Sequence, residues 1–291
     1  MPRASSNPSL IEPETLHHRL GEPGLRILDS SWYLPQSGRD ARGEYLQGHI
    51  HGAVFFDLDQ NSDARSPLPH MLPTAAEFGH RMSVLGLSST DRIVVYDGSG
   101  ANLSAARAWW MFRVFGHPQV AVLDGGLGLW RQLGFPLESG EQLLPPGDFT
   151  AQLDRGGVRS RDEVRKLLAG GGAQFADARS RARFEGREAE PRAGVRSGHL
   201  PGSRNVPYIE LVDEEGKLLP RAALDALFRR EGIDPARPVV TLCGSGTSAC
   251  AIALALAQLG AGDVAVYDGS WTEWGGAADL PIATGPAERL P

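Results

Sequence analysis

Val239-Val240-Thr241-Leu242-Cys243-Gly244-Ser245-Gly246-Thr247-Ser248-Ala249 runs straight into the apolar stretch from Cys250 to Leu259. The first residues, rich in β-branched side chains, read as a buried strand, and the Ala/Leu run reads as a helix. Between them lies a short loop that opens on a cysteine and carries two glycines and small hydroxyl residues. Glycines let such a loop curl until successive backbone N–H groups converge on one point. The helix that follows adds the positive end of its dipole there. A thiol held in that place ionises more readily, and the thiolate is the nucleophilic form. Cys243 is therefore read as a catalytic thiolate in an anion-stabilising loop. On the loop alone, a small buried core residue is an equal alternative.

The same pattern occurs earlier in the chain. Ile93-Val94-Val95-Tyr96-Asp97-Gly98-Ser99-Gly100 matches the stretch around Cys243 at an offset of 146 (243 − 97). Leu25 to Ser30 returns as Gln174 to Ala178, Gly48-His49-Ile50-His51-Gly52 as Gly198-His199-Leu200-Pro201-Gly202, and Val122 to Gly126 as Val266 to Ser270. Landmarks in one order with drifting offsets mean a duplicated domain, not a solenoid. Trp130 and Trp274 close the two halves in matching places. Strands are expected at Leu25–Asp29, Ala53–Phe56, Arg92–Tyr96 and Gln119–Leu123. Helices are expected from about Glu12 to Leu20, Ala75 to Leu85 and Ala101 to Phe115, the second behind a Thr74/Glu77 capping box. Alternating strands and helices give an α/β fold with a mostly parallel sheet flanked by helices in each copy. The Pro/Gly/Ser-rich stretch after Glu138 separates them. The expected organisation is a first domain over 1–140, a linker over 141–155 and a second domain over 156–291, whose first helix starts at Arg159 or Ser160 with Glu163.

Composition narrows the function classes. The 291-residue chain is 41% hydrophobic and 22% charged, ordinary for a globular protein. A net charge of −6 argues against a nucleic-acid partner, which favours a basic surface. No apolar run approaches a membrane span. Met1 to Ser9 shows no basic segment followed by an apolar one, so no secretory signal is expected. Two cysteines cannot form a disulfide framework, and a cytoplasmic location is expected. His49 and His51 make a poor metal site without a third ligand. Gly98-Ser99-Gly100 and Gly125-Gly126-Leu127-Gly128 lack the dinucleotide fingerprint, so neither metal nor cofactor is expected. Trp109, Trp110, Trp271 and Trp274 read as packing between the two domains.

The copies differ at the loop: Asp97 stands where Cys243 stands. An aspartate can accept the loop's N–H bonds but has no thiol, so one copy reads as active and the other as structural. Two tandem α/β units with Asp in the first loop and Cys in the second resemble the two-domain rhodanese-like sulfurtransferases over about residues 10 to 285. Cys243-Gly244-Ser245-Gly246 is similar to the loop of the 3-mercaptopyruvate group. So are Ser31-Trp32-Tyr33-Leu34-Pro35, Gly38-Arg39-Asp40-Ala41-Arg42, His70-Met71-Leu72-Pro73, Trp109-Trp110-Met111-Phe112-Arg113 and Glu190-Pro191-Arg192-Ala193-Gly194. Thr247-Ser248 departs from that group, which commonly has an apolar residue followed by Thr.

The resemblance implies sulfur transfer from 3-mercaptopyruvate to a thiol or cyanide through a Cys243 persulfide, with thioredoxin as one such thiol acceptor. It implies Arg183 and Arg192 as the arginines for the donor carboxylate, a role their fork geometry suits. Gly244, Gly246, Thr247 and Ser248 would line the sulfur, and Ser245 would help to protonate the leaving enolate. His49 would stand near that hydroxyl with Asp40 as its partner, although His199 at the same place in the second copy fits a turn-holding role equally. Arg179, Arg181 and Arg187 read as salt-bridged to nearby glutamates. Three rivals remain. A thiosulfate donor fits less well because no basic residue follows Cys243. A tyrosine-type phosphatase needs an arginine where Ala249 stands. A non-enzymatic sulfur carrier would release no pyruvate under multiple turnover.

Overall fold

In the computed structural model, residues 9–287 are described. The leader reading of Met1 to Ser9 falls almost wholly outside them. The first unit holds β1 (Leu10–Ile11), α1 (Pro13–His18), β2 (Leu25–Asp29), α2 (Ala41–Gln47), β3 (His49–Ile50), β4 (Ala53–Phe55), α3 (Ala75–Val84), β5 (Arg92–Tyr96), α4 (Leu103–Val114), β6 (Val120–Leu123), α5 (Gly126–Gln132) and β7 (Leu137–Glu138). The second holds β8 (Val158–Arg159), α6 (Arg161–Gly170), β9 (Gln174–Asp177), α7 (Arg181–Phe184), β10 (Arg204–Asn205), α8 (Arg221–Arg230), β11 (Val239–Leu242), α9 (Ala249–Gln258), β12 (Val264–Tyr267) and α10 (Ser270–Gly276). Five parallel strands form each main sheet, in the orders β4-β2-β5-β6-β1 and β10-β9-β11-β12-β8. The two orders superpose strand for strand, which is the duplication expressed as topology.

Local chemistry sets the element ends. Thr74 with Glu77, and Ser160 with Glu163, close full capping boxes on α3 and α6. The helix expected from Ala101 begins at Leu103, because Asn102 takes a left-handed φ of +52° and cannot continue a helix backwards. The stretch after Glu138 forms no regular element up to residue 154, yet it is tied to the first unit. Gly147 and Phe149 donate backbone N–H groups to Ser83, and the Phe149 ring is buried against Phe78 and Phe112.

Each sheet is covered by its own helices on both faces, and the units meet through the helices of the inner faces. Side chains alternate along β5: Val94 and Tyr96 join an outer core with Trp130, while Ile93 and Val95 point to an inner core shared by both units. In that inner core α4 meets α9, so Trp109 and Trp110 lie with Ile252 and Leu256. Trp271 and Trp274 are elsewhere, contrary to the interdomain reading. They sit on α10 in the second unit's own outer core with Phe175 and Leu242, because α10 covers the far face of the sheet. Trp274 and Trp130 donate indole N–H bonds to Pro281 and Pro136, the same closure in each half. No helix among the described residues is long and apolar enough to cross a membrane.

Candidate active site

β5 and β11 are central strands, and each ends at the carboxyl edge of its sheet, where open α/β sheets place their ligands. The loops that follow have different internal chemistry. In the first, Asp97 Oδ1 accepts from Ser99 N–H (2.8 Å) and hydroxyl (2.6 Å), and Oδ2 accepts from Ala105 N–H (2.8 Å) and Ser104 hydroxyl (3.2 Å). That loop is neutralised from within. In the second, the backbone N–H groups of residues 244 to 248 donate to no protein acceptor among the described residues. Ser248 precedes α9 without a side-chain cap, and the first turn closes on the backbone instead, Cys250 and Ala251 N–H donating to the Thr247 and Ser248 carbonyls. Cys243 is 2% exposed, and its backbone is pinned on the outside by Ser270 Oγ and Trp271 N–H. Thr272 holds the Gly244 carbonyl through both N–H and hydroxyl (2.9 and 2.6 Å). Carbonyls are thus turned outward, and the amide hydrogens are left for a ligand.

One glycine in this loop is sterically required, and a second marks a close approach. Gly246 has φ +79°, and a Cβ there would lie 2.7 Å from the Asp268 carbonyl. A Cβ on Gly244 would lie 2.9 Å from Arg183 Nη2, so the Arg183 guanidinium lies against the loop. Cys250, one turn into α9, donates its thiol to the Gly246 carbonyl (3.2 Å) and is fully enclosed. Burial pushes that thiol up to about 12, so it stays protonated and structural.

The arginines divide by their partners. Arg179 is buried between Asp177 (2.6 Å) and Glu190 (2.8 Å), while Arg181 and Arg187 pair with glutamates at the surface, as expected. Arg183 shares Glu190 through a 2.5 Å ion pair. Arg192 is half-buried and makes no ion pair among the described residues. Desolvation pushes its guanidinium down, and the neighbouring Cys243 is the largest influence in the other direction. It is the unspent cation beside the sulfur. An open groove leads away from it between residues 66–69 and 192–195.

His49 and Asp40 do not join this cluster. His49 Nδ1 lies 2.8 Å from the Tyr45 carbonyl, its ring stacks on Tyr45 at 4.1 Å, and Nε2 stands 3.4 Å from Glu138 without hydrogen-bond alignment. His199 repeats the arrangement on the Phe184 carbonyl and ring. A histidine performing one task in both halves is holding a turn. Asp40 is the N-cap of α2, accepting from Gly43 N–H (3.0 Å). The first-unit histidine whose turn is tied to the loop is His70, because Arg107 donates both to its carbonyl and to that of Gly246. Its Nδ1 is 3.1 Å from Asp59, and its ring meets Trp32 edge-on at 4.6 Å. Both Nδ1 and Nε2 are buried without an aligned hydrogen-bond partner among the described residues. Asp59 also accepts from Trp32 Nε1 (2.9 Å), and its carboxyl is held below the usual range, first by His70 and to a lesser degree by Arg192.

The pattern of the rhodanese-like domain matches residues 12–133 and again 160–277. The chain belongs to the rhodanese-like family. The 3-mercaptopyruvate sulfurtransferase of Escherichia coli K12 is 44% identical over 94% of this chain and 96% of its own. Thiosulfate/3-mercaptopyruvate sulfurtransferase 1 of Arabidopsis thaliana is 43% identical over 96% of this chain and 79% of its own. The crystal structure of SseA from Escherichia coli, described as a 3-mercaptopyruvate sulfotransferase, superposes with a TM-score of 0.84. It shares 40% identity and covers 91% of this chain and 99% of that one.

Within this rhodanese-like pair, the residue that sequence reasoning missed had a signal. His70-Met71-Leu72 matches Gly216-Lys217-Leu218 at the offset of 146 that relates the two loops (216 − 70). Both first residues are left-handed, His70 at φ +58° and Gly216 at +77°. One copy uses the residue for which that conformation is free, and the other holds a histidine there against its preference.

Proposed function

We propose that this chain moves sulfur from 3-mercaptopyruvate to a thiol or cyanide acceptor through a persulfide on Cys243, releasing pyruvate. One observation carries the reading. The loop around Cys243 presents unpartnered amide hydrogens where its twin turns those of Ser99 and Ala105 onto Asp97 and those of Gly98, Ala101 and Leu103 onto the Ser31 and Ser99 hydroxyls. Such donors stabilise an anionic sulfur before and after transfer. The donor carboxylate binds Arg192, with Arg183 beside it. The Cys243 thiolate attacks the donor sulfur, the carbon–sulfur bond breaks, and its electron pair leaves on the pyruvate enolate. A proton must reach the methylene carbon to complete pyruvate. Ser245 and His70, whose Nδ1 lies 3.1 Å from Asp59, are the groups for that delivery, in place of His49 and Asp40. In the second half-reaction an acceptor thiolate attacks the outer sulfur and Cys243 leaves as thiolate, a ping-pong scheme. A small dithiol protein of the thioredoxin kind suits this step, because its second thiol can release the sulfur as sulfide.

Mass spectrometry after donor treatment tests the reading. One added sulfur on Cys243, with catalytic pyruvate release in the presence of excess thiol, is expected. Pyruvate release by Cys243→Ser at the parent rate overturns it. Thiosulfate is the second donor to compare, since one relative carries both substrates in its name. The absence of a cation in residues 244 to 248 makes it the slower one here.

A further inference from the structure

One charged side chain crosses between the units at the site. Arg107 lies on α4 of the first unit with no exposed surface. Its Nη1 donates to Asp268 Oδ1 (2.7 Å) and to the Gly246 carbonyl (3.4 Å) in the second unit, and its Nη2 donates to the His70 carbonyl. The other Asp268 oxygen accepts the Leu72 N–H (2.8 Å). The His70-Met71-Leu72 turn is therefore held at both ends by one ion pair, which also touches the turn of the cysteine loop. A guanidinium gives up much hydration to sit there; both of its Nη groups find acceptors, while Nε has none among the described residues.

The duplication separates scaffold from function. Asp124 occupies the place of Asp268, and it accepts the Leu218 N–H (2.8 Å) as Asp268 accepts that of Leu72. That bond between the units is common to both sides. The arginine is not, since Ala253 stands at the matching place on α9 (253 − 107 = 146). An arginine that served only to hold the units together would be equally useful on either side. It occurs only on the side where the histidine turn meets the cysteine loop. Gly246 is shaped for it too, since a Cβ there would lie 3.1 Å from Arg107 Nη1.

We propose that Arg107 is a positioning residue, fixing the His70 turn of one unit against the Gly246 turn of the other so that histidine and sulfur meet at a set separation. This rests on the reading of His70 as a proton carrier. Cleavage of mercaptopyruvate needs a proton on carbon, whereas thiosulfate leaves sulfite, which needs none. Kinetics of Arg107→Met, Arg107→Lys, His70→Gln and Arg107→Met/His70→Gln with both donors form the test. Arg107→Met should lower kcat for mercaptopyruvate by ~10-fold or more with KM within ~2-fold, and lower it far less for thiosulfate. Arg107→Lys should recover part of the loss, and the double variant should be no slower than His70→Gln alone. Equal losses with both donors, or additive losses in the double variant, overturn the positioning role while leaving the proton route intact. Full mercaptopyruvate turnover by His70→Gln overturns the proton route and this proposal together. Should Arg107→Met not fold, Asp268→Asn, which keeps an acceptor for Leu72 N–H, is read by the same donor ratio.

Discussion

Replacing Asp29 by Asn should stabilise the protein at neutral and alkaline pH and change little in acid. Asp29 ends β2 at 1% exposure. Burial pushes its carboxyl up to about 6, with Asp97 adding to the rise and the Ser31 hydrogen bonds opposing it. The ordinary value is 3.8, and a difference of about two pH units at roughly 1.4 kcal/mol each makes about 3 kcal/mol. The sign follows from the direction. A carboxyl raised on folding binds its proton more tightly in the native state, so the penalty is absent below about pH 4. It grows through pH 4 to 6 and is complete above that. The twin site shows what is missing: Asp177 ends β9 in the same place and is paired with Arg179, whereas Ser31 stands in the first unit where Arg179 stands in the second. An Asn at position 29 keeps an oxygen for the Ser31 N–H and carries no charge. Urea unfolding of parent and variant between about pH 4 and pH 8 measures the difference. The variant should be more stable by about 3 kcal/mol at the upper end, the two converging at the lower. A difference that does not change with pH, or a variant less stable at pH 8, refutes the argument.

The site offers three more tests. Arg192→Ala should raise KM for mercaptopyruvate by roughly 10- to 100-fold, the worth of a charged hydrogen-bonded contact, whereas Arg183→Ala should raise it less because Glu190 already shares that guanidinium; equal effects would refute the division. His70→Gln should lower kcat for mercaptopyruvate by about 100-fold or more, while His49→Gln leaves kcat within about 2-fold and lowers thermal stability; a reversed order in a steady-state assay would return the relay to His49. Asp177→Asn should destabilise by about 3–5 kcal/mol, opposite in sign to Asp29→Asn, because it leaves Arg179 buried with half its partners gone. Chemical denaturation gives that value directly.

Strands, capping boxes and the paired loops were legible because each depends on near neighbours. β11 is a run of β-branched and apolar residues whatever surrounds it, and Thr74 with Glu77 closes its own box. The site was half legible. Cys243 and its amide-rich turn lie in one stretch, and Arg183 and Arg192 lie in one loop. His70 was not found, because its approach to the loop is made by residues far away in sequence, Arg107 and Asp268, acting across the junction of the units. His49 drew attention because it is flanked by glycines repeated in both copies. Repetition marked the wrong thing: it identified what both halves need for a turn. Trp271 and Trp274 misled for a similar reason, since aromatic content says that a residue is buried but not on which face of the sheet.

Duplication explains why the site needs two units at all. A lone rhodanese-like unit can hold a sulfur anion, since amide hydrogens and a helix start come with its own loop. Of the two groups proposed to protonate carbon, Ser245 belongs to that loop, whereas His70 belongs to the other unit. The twin supplies the missing side through the α4–α9 contact. Symmetry then brings the 70–72 turn to the cysteine loop and the 216–218 turn to the Asp97 loop. At the second meeting Asn102 Nδ2 donates to the Gly216 carbonyl, and Asp97 accepts the Ser99 and Ala105 N–H groups. At the first, His70 holds a left-handed conformation in a turn tied to a loop whose 244 to 248 amides donate to no described acceptor. The aspartate of the first loop and the histidine of the first unit are therefore compatible, because the 70–72 turn meets the loop of the second unit and the 216–218 turn meets that of the first.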